Sequence, residues 1–202
     1  MIDLVATFVV FFAVIDPIGT VPVFIAVTSL YEDKVKRKIA IKATLVSAIV
    51  LLFFIVAGEI ILTAIDIQLS AFQIAGGIVL FLFALTMIFG ESKPDEELKM
   101  AYSASEKAIF PLSVPSIASP GAMLTAVLLT ENNRYSLWEQ TQTAAMMLLV
   151  LVVVLVFMLA ASWIHRLIGN SGASIISRVM GLILASVAVS NVLSGIKEYF
   201  VL

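Results

Sequence analysis

Two short polar motifs interrupt long apolar runs of this sequence, and each could bind a small charged molecule. The first motif contains Asp16, Pro17, Gly19, Thr20 and Pro22. An apolar run of this length can cross a membrane, and Asp16 then lies near the middle of the bilayer. A carboxylate at that depth costs at least ~2.5–3.5 kcal/mol and is usually kept for function. Asp16 could carry a proton, pair with an ammonium group, or accept backbone amides as a helix cap. The residue pattern leaves these three roles open.

The second motif contains Pro115, Ser116, Ser119, Pro120 and Gly121. Proline lacks an amide donor and obstructs the carbonyl four residues earlier, and glycine lowers the cost of unwinding. Both motifs therefore predict a broken helix. The backbone at such a break exposes N–H groups at the start of one half-helix and C=O groups at the end of the other. Two paired breaks suit the carboxylate and ammonium groups of a zwitterion, so both motifs are predicted to bind substrate.

Further polar residues are candidates for carrying protons or lining a pathway. Glu59 lies near the end of an apolar run, where we expect it to be interfacial, paired with another group, or part of a proton relay. Ser186, Ser190 and Asn191 form a polar stripe, which predicts either interhelical hydrogen bonds or contact with a pathway. Three glycines are predicted to be close-packing positions between helices: Gly76, Gly77 and Gly181.

The elements that position these residues have the composition of membrane helices. Of 202 residues, 61% are hydrophobic and 13% are charged, and mean hydropathy is +1.13, whereas soluble domains carry roughly 25% charged residues. The apolar runs predict an all-α, polytopic membrane protein with six transmembrane helices and no soluble domain. The predicted segments cover about 3–30, 41–64, 69–90, 108–130, 143–165 and 176–197.

Basic residues are distributed unevenly between the two sides that six crossings define. Arg134 and Lys197 fall on one side, and the other ten of the 12 basic residues fall on the opposite side. Because cytoplasmic loops carry an excess of Lys and Arg, we expect a multi-pass inner-membrane protein with both termini outside the cytoplasm. The ten residues predicted to be cytoplasmic are Lys34, Lys36, Arg37, Lys38, Lys42, Lys93, Lys99, Lys107, Arg166 and Arg178.

The same composition argues against several classes of protein. A net charge of -2 without a basic face disfavours nucleic-acid binding. The sequence has no cysteine and a single histidine, His165, so it offers no thiol nucleophile and no histidine metal cluster. It also lacks a Walker A motif and a serine-hydrolase motif. We therefore expect no catalytic residues, no metal and no cofactor, and transport that is passive or ion-coupled.

The two halves of the chain share landmarks at a nearly constant offset. Gly77 and Gly181 are 104 residues apart, and Pro17 and Pro120 are 103 residues apart. Three helices per half is an odd number, so the second half enters the membrane from the opposite side. The sequence thus predicts one transmembrane domain over 1–202 built from two inverted three-helix repeats, with broken first and fourth helices. The predicted parts are repeat one at about 1–92, a linker at about 93–107, and repeat two at about 108–202.

Together these motifs closely resemble the MarC-type neutral amino acid transporter family, over essentially the whole chain. The resemblance implies an integral inner-membrane protein with six crossings. It also implies proton-coupled transport of small neutral amino acids such as glycine, alanine, serine or threonine. The motifs that carry it are Asp16-Pro17-Ile18-Gly19-Thr20-Val21-Pro22 with Phe24, Ala57-Gly58-Glu59, Ile74 to Phe81, Pro111 to Ala122, and Met180 to Leu184.

Two features of the motifs qualify what the resemblance implies. The second family motif usually reads Ala-Gly-Pro-Gly, whereas here Ala118 is followed by Ser119. The serine side chain either narrows the cavity or adds a hydroxyl contact. The first family motif carries Asn or Asp before its proline, which weakens the case for Asp16 as an indispensable proton carrier.

These inferences predict a secondary transporter that binds a small zwitterionic substrate at a midplane site between the two breaks. Alternating access follows from one repeat rocking against the other, with H⁺ as the coupling ion and Asp16 and Glu59 as the candidate proton carriers. The alternatives are a drug or metabolite efflux protein of the same fold, or a membrane scaffold or enzyme that transports nothing. A homo-oligomer in the lipid bilayer is compatible with the sequence.

Overall fold

The computed structural model describes residues 2–28, 31–89, 112–132 and 134–200, in which helices are joined by short connections. Helix α1 covers Leu4–Ile15 and helix α2 covers Pro17–Thr28, so a single residue separates them. Helix α3 covers Asp33–Ala64, and helix α4 covers Leu69–Phe89. The linker predicted at about 93–107 lies outside the described residues, and so does Pro111.

After residue 111 the structure describes a wide, π-helical turn at Leu112–Ile117, whose backbone is extended at Val114 (φ -142°, ψ 120°), followed by helix α5 at Pro120–Leu128. Helix α6 covers Leu137–Leu159. Helix α7 covers Ala161–Tyr199, and its backbone is interrupted at Gly169, where φ is 65° and ψ is 176°. Glycine tolerates this positive φ because it has no Cβ.

Five stretches of the described chain are long and apolar enough to cross a membrane. Each has a counterpart among the predicted segments, and the fourth predicted segment is described only from residue 112 onward. The chain is therefore an all-helical, polytopic membrane protein. The five stretches are Leu4–Ile25, Asp33–Ala64, Leu69–Phe89, Leu137–Leu159 and Ser174–Tyr199.

Some helix boundaries differ from the sequence prediction for local reasons. Helix α6 begins at Leu137 rather than at 143, because Ser136 and Glu139 form a reciprocal capping box that starts the helix there. It ends at Leu159, so the last residues of the predicted segment 143–165 belong to α7. Helix α3 extends from Asp33 through the basic residues before 41.

Helices α4 and α7 pack closely against each other along their length. A Cβ added at Gly77 would lie 3.0 Å from the carbonyl oxygen of Ala188, and one added at Gly181 would lie 3.1 Å from that of Ala84. The later residue of α4 meets the earlier residue of α7, so the two helices run antiparallel. Small residues at these positions let the two backbones approach. Gly76 instead lies against the side chain of Leu124 in α5.

The two broken helices occupy the centre of this bundle. Phe11, Val14 and Ile15 of α1 are fully buried, and so are Leu112 and Ile117 of the wide turn. Helices α3, α4, α6 and α7 pack around these elements. The outer helices expose large apolar side chains such as Ile49, Phe53, Val56, Leu82 and Val152, which suits contact with lipid.

Candidate functional site

The first break is centred on Asp16, which is 1% exposed. Its backbone is left-handed, with φ 51° and ψ 70°, and its N–H donates to the carbonyl of Phe12 at 3.0 Å. The carboxylate oxygen Oδ1 accepts the N–H of Gly19 at 2.9 Å, and Thr20 Oγ1 donates to the Asp16 carbonyl at 3.0 Å. A Cβ on Gly19 would overlap the Asp16 carboxylate. Asp16 therefore caps α2, and Gly19 makes room for that cap.

This first break is shorter than the motif predicts. The sequence indicates unwinding between Pro17 and Pro22, whereas α2 starts at Pro17 and continues through Pro22. Proline is well suited to the first position of a helix, where its missing N–H has no intrahelical partner. Within α2, Pro22 cannot donate to the carbonyl of Ile18, so that backbone hydrogen bond is absent.

The second break repeats the cap and the following proline with a different backbone conformation. Ser119 is extended, with φ -70° and ψ 158°, and its Oγ accepts the N–H of Ala122 at 3.1 Å. Pro120 then begins α5, as Pro17 begins α2. In the preceding wide turn, which includes Pro115, the N–H of Ala118 donates to the carbonyl of Ser113 at 2.9 Å. A capping oxygen followed by proline thus starts the second half of both broken helices.

The structure brings the two breaks into contact. Ser119 Oγ lies 3.5 Å from the carbonyl oxygen of Val14, at the end of α1. A Cβ added at Gly121 would lie 3.2 Å from Val14 Cγ1 and 2.7 Å from Leu80 Cδ1. Thr20 and Ser119 are fully buried, whereas Pro120 is exposed. The predicted residues of the two motifs therefore meet in the bundle centre, in a tightly packed region.

Two hydroxyl groups beside the second break differ in their hydrogen bonds. Ser47 Oγ of α3 donates to the carbonyl of Ser113 at 3.1 Å, a contact that the sequence reasoning missed. A hydroxyl inside the apolar run of α3 was the available signal. Ser116 Oγ is buried and has no hydrogen-bond partner among the residues described. A buried hydroxyl in that state costs about 1–3 kcal/mol, so a ligand that bonds to it is favoured.

A cavity of about 450 Å³ opens at one end of the bundle, which we call the basic end. It lies where α2 ends, α3 begins and α6 meets α7. In its wall, Lys36 Nζ lies 3.8 Å from Asp33 Oδ1. The cavity lining therefore combines two cationic residues, one carboxylate (Asp33) and hydroxyl groups with apolar side chains. Its lining includes Phe24, Thr28, Lys36, Arg37, Met158 and Ser162.

The opposite end of the bundle, which we call the acidic end, is closed by polar contacts. Glu59, 23 positions after Lys36 on α3 and thus about 35 Å away, accepts the backbone N–H of Asn132 at 2.8 Å. Arg134 Nη2 lies 3.1 Å from Glu198 Oε2 of α7, and Arg134 Nε lies 3.6 Å from Glu131 Oε2. Glu59 thus holds the connection between α5 and α6 against α3.

Apolar packing also closes the acidic end, and burial changes the titration of one carboxyl there. A Cβ on Gly58 would overlap the side chain of Val127. Burial raises the pKa of Glu131 above its ordinary value, although Arg134 opposes this shift. Within the described part of the chain, three or more acidic or histidine side chains nowhere form a group suited to a metal ion.

The residues of the predicted polar stripe do not join the breaks. Ser186 and Ser190 are exposed on α7, and Asn191 is half-buried. Ser186 Oγ donates to the carbonyl of Leu182 in its own helix at 3.0 Å. Sequence reasoning also missed Glu131 and the closing role of Arg134. These residues lie in a short connection, where charged side chains are ordinarily solvated, and the α7 partner of Arg134, Glu198, is far away in sequence.

Comparison with known proteins decides the affiliation of the chain. Residues 1–200 match the model of the MarC family integral membrane protein. The chain belongs to the MarC family. A UPF0056 membrane protein of Methanocaldococcus jannaschii is 34% identical, with 92% of each chain covered. The UPF0056 inner membrane protein YhgN of Escherichia coli is 32% identical, with 98% of each chain covered.

A third MarC-family relative, a UPF0056 membrane protein of Archaeoglobus fulgidus, is 32% identical over 97% of this chain and 93% of its own length. No solved structure matches this MarC-family chain. The family match therefore spans essentially the whole chain, which is that of an integral membrane protein. The names of these relatives describe membrane proteins and mention no catalytic activity.

Proposed function

We propose that this MarC-family protein is a secondary transporter of small neutral amino acids, of the glycine, alanine, serine and threonine class. The substrate binds where the two helix breaks meet. The observation that carries this proposal is the contact between two capped breaks in the buried centre, beside the unpartnered hydroxyl of Ser116. Irregular backbone inside a membrane protein is tolerated where it is buried in protein or lines a cavity.

The chemistry of the breaks suits both charged ends of an amino acid. The first N–H groups of α2 and α5 carry partial positive charge and favour a carboxylate. The last carbonyls of α1 and the Ile18 carbonyl, which lacks a donor from Pro22, favour an ammonium group. The close approach of Gly121 to Val14 and Leu80 disfavours a large side chain on the substrate.

The proposed mechanism is alternating access by two inverted repeats. Gly77 and Gly181 are 104 residues apart, and so are the carbonyls they approach, those of Ala84 and Ala188. Exchanging residues that are 104 positions apart therefore turns the contact of Gly77 with Ala188 into the contact of Gly181 with Ala84. Because these helices run antiparallel, the axis relating them is perpendicular to both and lies in the membrane plane, as in inverted-repeat transporters.

The two ends of the bundle support a transporter captured in one of its states. The basic end holds the open cavity, and the acidic end is closed. We assign the basic end to the cytoplasm and both termini to the outside, following the excess of Lys and Arg. The relative YhgN is named an inner membrane protein, and we propose the same membrane and proton coupling for this chain.

Uptake into proteoliposomes tests the proposed function. The purified protein is reconstituted, and labelled glycine, alanine, serine and threonine are supplied with and without an imposed pH gradient. We expect uptake of at least one of them above that of empty liposomes, increased by the gradient. Uptake equal to that of empty liposomes for every small amino acid would contradict the proposal.

Two hydroxyl variants test the position of the site. Ser116→Ala removes the buried, unpartnered hydroxyl, and Ser186→Ala removes an exposed hydroxyl that bonds within its own helix. We expect Ser116→Ala to raise the KM for uptake about five- to tenfold, which corresponds to about 1–1.4 kcal/mol, and Ser186→Ala to leave it unchanged. Equal effects of the two variants would place the substrate elsewhere.

A further inference from the structure

We propose that Glu131 is the proton-binding residue of this transporter, and that binding of the proton allows the acidic end to close. The inference rests on the proposed transport function, because it names the site of the coupling ion. Glu131 lies in the connection between α5 and α6, outside the membrane-spanning helices. Neither motif of the sequence contains it.

The charged groups that face Glu131 come from three parts of the molecule. Arg134 lies in the same connection, Glu59 lies on α3, and Glu198 lies near the end of α7. Arg134 contacts the carboxylates of Glu131 and Glu198, and Glu59 adds a third carboxyl group close enough to raise the pKa of Glu131. Bringing them together with all three ionised leaves an excess of negative charge, and a bound proton removes part of it.

Among these carboxyl groups, Glu131 is the one that closure removes from water. Its side chain is 6% exposed, whereas those of Glu198 and Arg134 are 43% and 48% exposed. Arg134 Nε is 3.6 Å from the Glu131 carboxylate, which is too long for a good hydrogen bond, so the cation compensates only part of the burial. Glu131 is therefore most easily buried in its neutral form.

The direction of the pH effect follows from the two states. In the closed state burial raises the pKa of Glu131; the Arg134 guanidinium lowers it, and the carboxylates of Glu198 and Glu59 raise it further. In an open state the exposed carboxyl returns to its ordinary pKa. The closed state thus binds the proton more tightly, so acid stabilises closure, and this stabilisation is lost as the pH rises through the raised pKa.

The other two carboxyl candidates already have structural tasks. Asp16 accepts the N–H of Gly19 as the cap of α2, and Glu59 accepts the N–H of Asn132. In the first repeat the position 103 residues before Glu131 holds Thr28, which lines the open cavity and does not titrate. The proton site is therefore specific to the acidic end.

Accessibility of a single cysteine tests closure without any assumption about the substrate. The chain has no cysteine, so Val127→Cys places one thiol at a 2% exposed position beside Gly58. Its labelling rate by a neutral maleimide in nanodiscs is divided by that of the 70% exposed Trp138→Cys, which corrects for thiol ionisation. We expect this ratio to rise at least about threefold as the pH is raised across the raised pKa of Glu131.

Variants then assign the pH effect to one residue. Glu131→Gln, which is neutral at every pH, should make the ratio independent of pH, and Asp66→Asn, an exposed carboxyl after α3, should leave the dependence intact. Glu198→Gln removes a facing carboxylate and should move the midpoint to lower pH. An unchanged pH dependence in Glu131→Gln, or no pH dependence in the parent protein, would overturn the proposal.

Transport separates failure of this inference from failure of the proposed function. In proteoliposomes, Glu131→Gln should lower the ratio of gradient-driven accumulation to substrate exchange at least about tenfold, and Asp66→Asn should not. If the parent protein transports and Glu131→Gln keeps the parent ratio, Glu131 is not the coupling site. If the parent protein transports no amino acid, the transport function fails, and the accessibility ratio still decides whether Glu131 controls closure.

Discussion

The acidic and basic ends differ in the side chains at positions that the proposed repeats relate to each other. Gly58 lies against Val127 at the acidic end, whereas Ser162 and Phe24, 104 and 103 residues away from them in sequence, line an open cavity at the basic end. Gly58 has no side chain, so Val127 packs directly against it at the acidic end. Phe24 and Ser162 at the basic end instead border a cavity that can hold water. In the proposed repeats, the similar helices permit one repeat to rock against the other. The different side chains at the two ends allow the opening of each end to be controlled separately.

The largest expected effect comes from filling the closed contact. Gly58→Leu places a side chain in the volume of Val127, and overpacking of this kind costs about 1–3 kcal/mol. Ser162→Leu adds a side chain of the same kind beside the open cavity. We expect a clearly lower Tm for Gly58→Leu than for Ser162→Leu in thermal unfolding of the detergent-solubilised protein. Equal Tm values would contradict the inference that the acidic end is more tightly packed than the basic end.

A second comparison concerns the caps at the centre, on which both ends depend. Ser119→Ala removes the oxygen that accepts the Ala122 N–H, and loss of such a cap costs about 1 kcal/mol. We expect uptake to fall about fivefold, with a smaller loss of Tm than in Gly58→Leu. Ser119→Asn, which retains a capping oxygen, is the control and should restore part of the uptake. Similar uptake by the alanine variant and the parent would show that this cap does not shape the site.

Removing one charge from each end sharpens the comparison further. Arg134→Ala breaks the contact with Glu198, and partly exposed ion pairs contribute about 0.2–1 kcal/mol. The labelling ratio of Val127→Cys should rise about two- to fivefold in this variant. Lys36→Ala at the basic end should leave that ratio unchanged. A similar rise in both variants would mean that general destabilisation, rather than opening of the acidic end, exposes the cysteine.

The smallest effect is expected for Asp16→Asn. An asparagine Oδ1 can still accept the N–H of Gly19, and asparagine tolerates the left-handed backbone at this position. We expect uptake within about twofold of the parent and an unchanged dependence on the pH gradient. Loss of that dependence would instead assign the proton to Asp16 and move the coupling site from the acidic end to the centre.

The local features of the site could be predicted from the sequence because their causes are local. A proline after a capping side chain starts a half-helix whatever surrounds it, so Asp16 and Ser119 mark the breaks. Six apolar runs predict a polytopic helical protein for the same reason, since about 20 apolar residues are enough to cross a bilayer. The extent of each break is a different matter, and α2 continues through Pro22 because the Asp16 cap holds its first turn.

Tertiary structure decided which distant groups meet. The Glu59 carboxylate finds the Asn132 amide, and Arg134 finds Glu198, across separations of 73 and 64 residues. The spacing of residues within one helix does not predict these two pairs, because they depend on how whole helices pack. The same packing buries Glu131 and leaves a cavity beside Lys36. The sequence by itself determined a membrane protein with two helix breaks. Only helix packing determined where the cavity beside Lys36 and the buried Glu131 lie, because cavities and buried charges are properties of the assembled bundle.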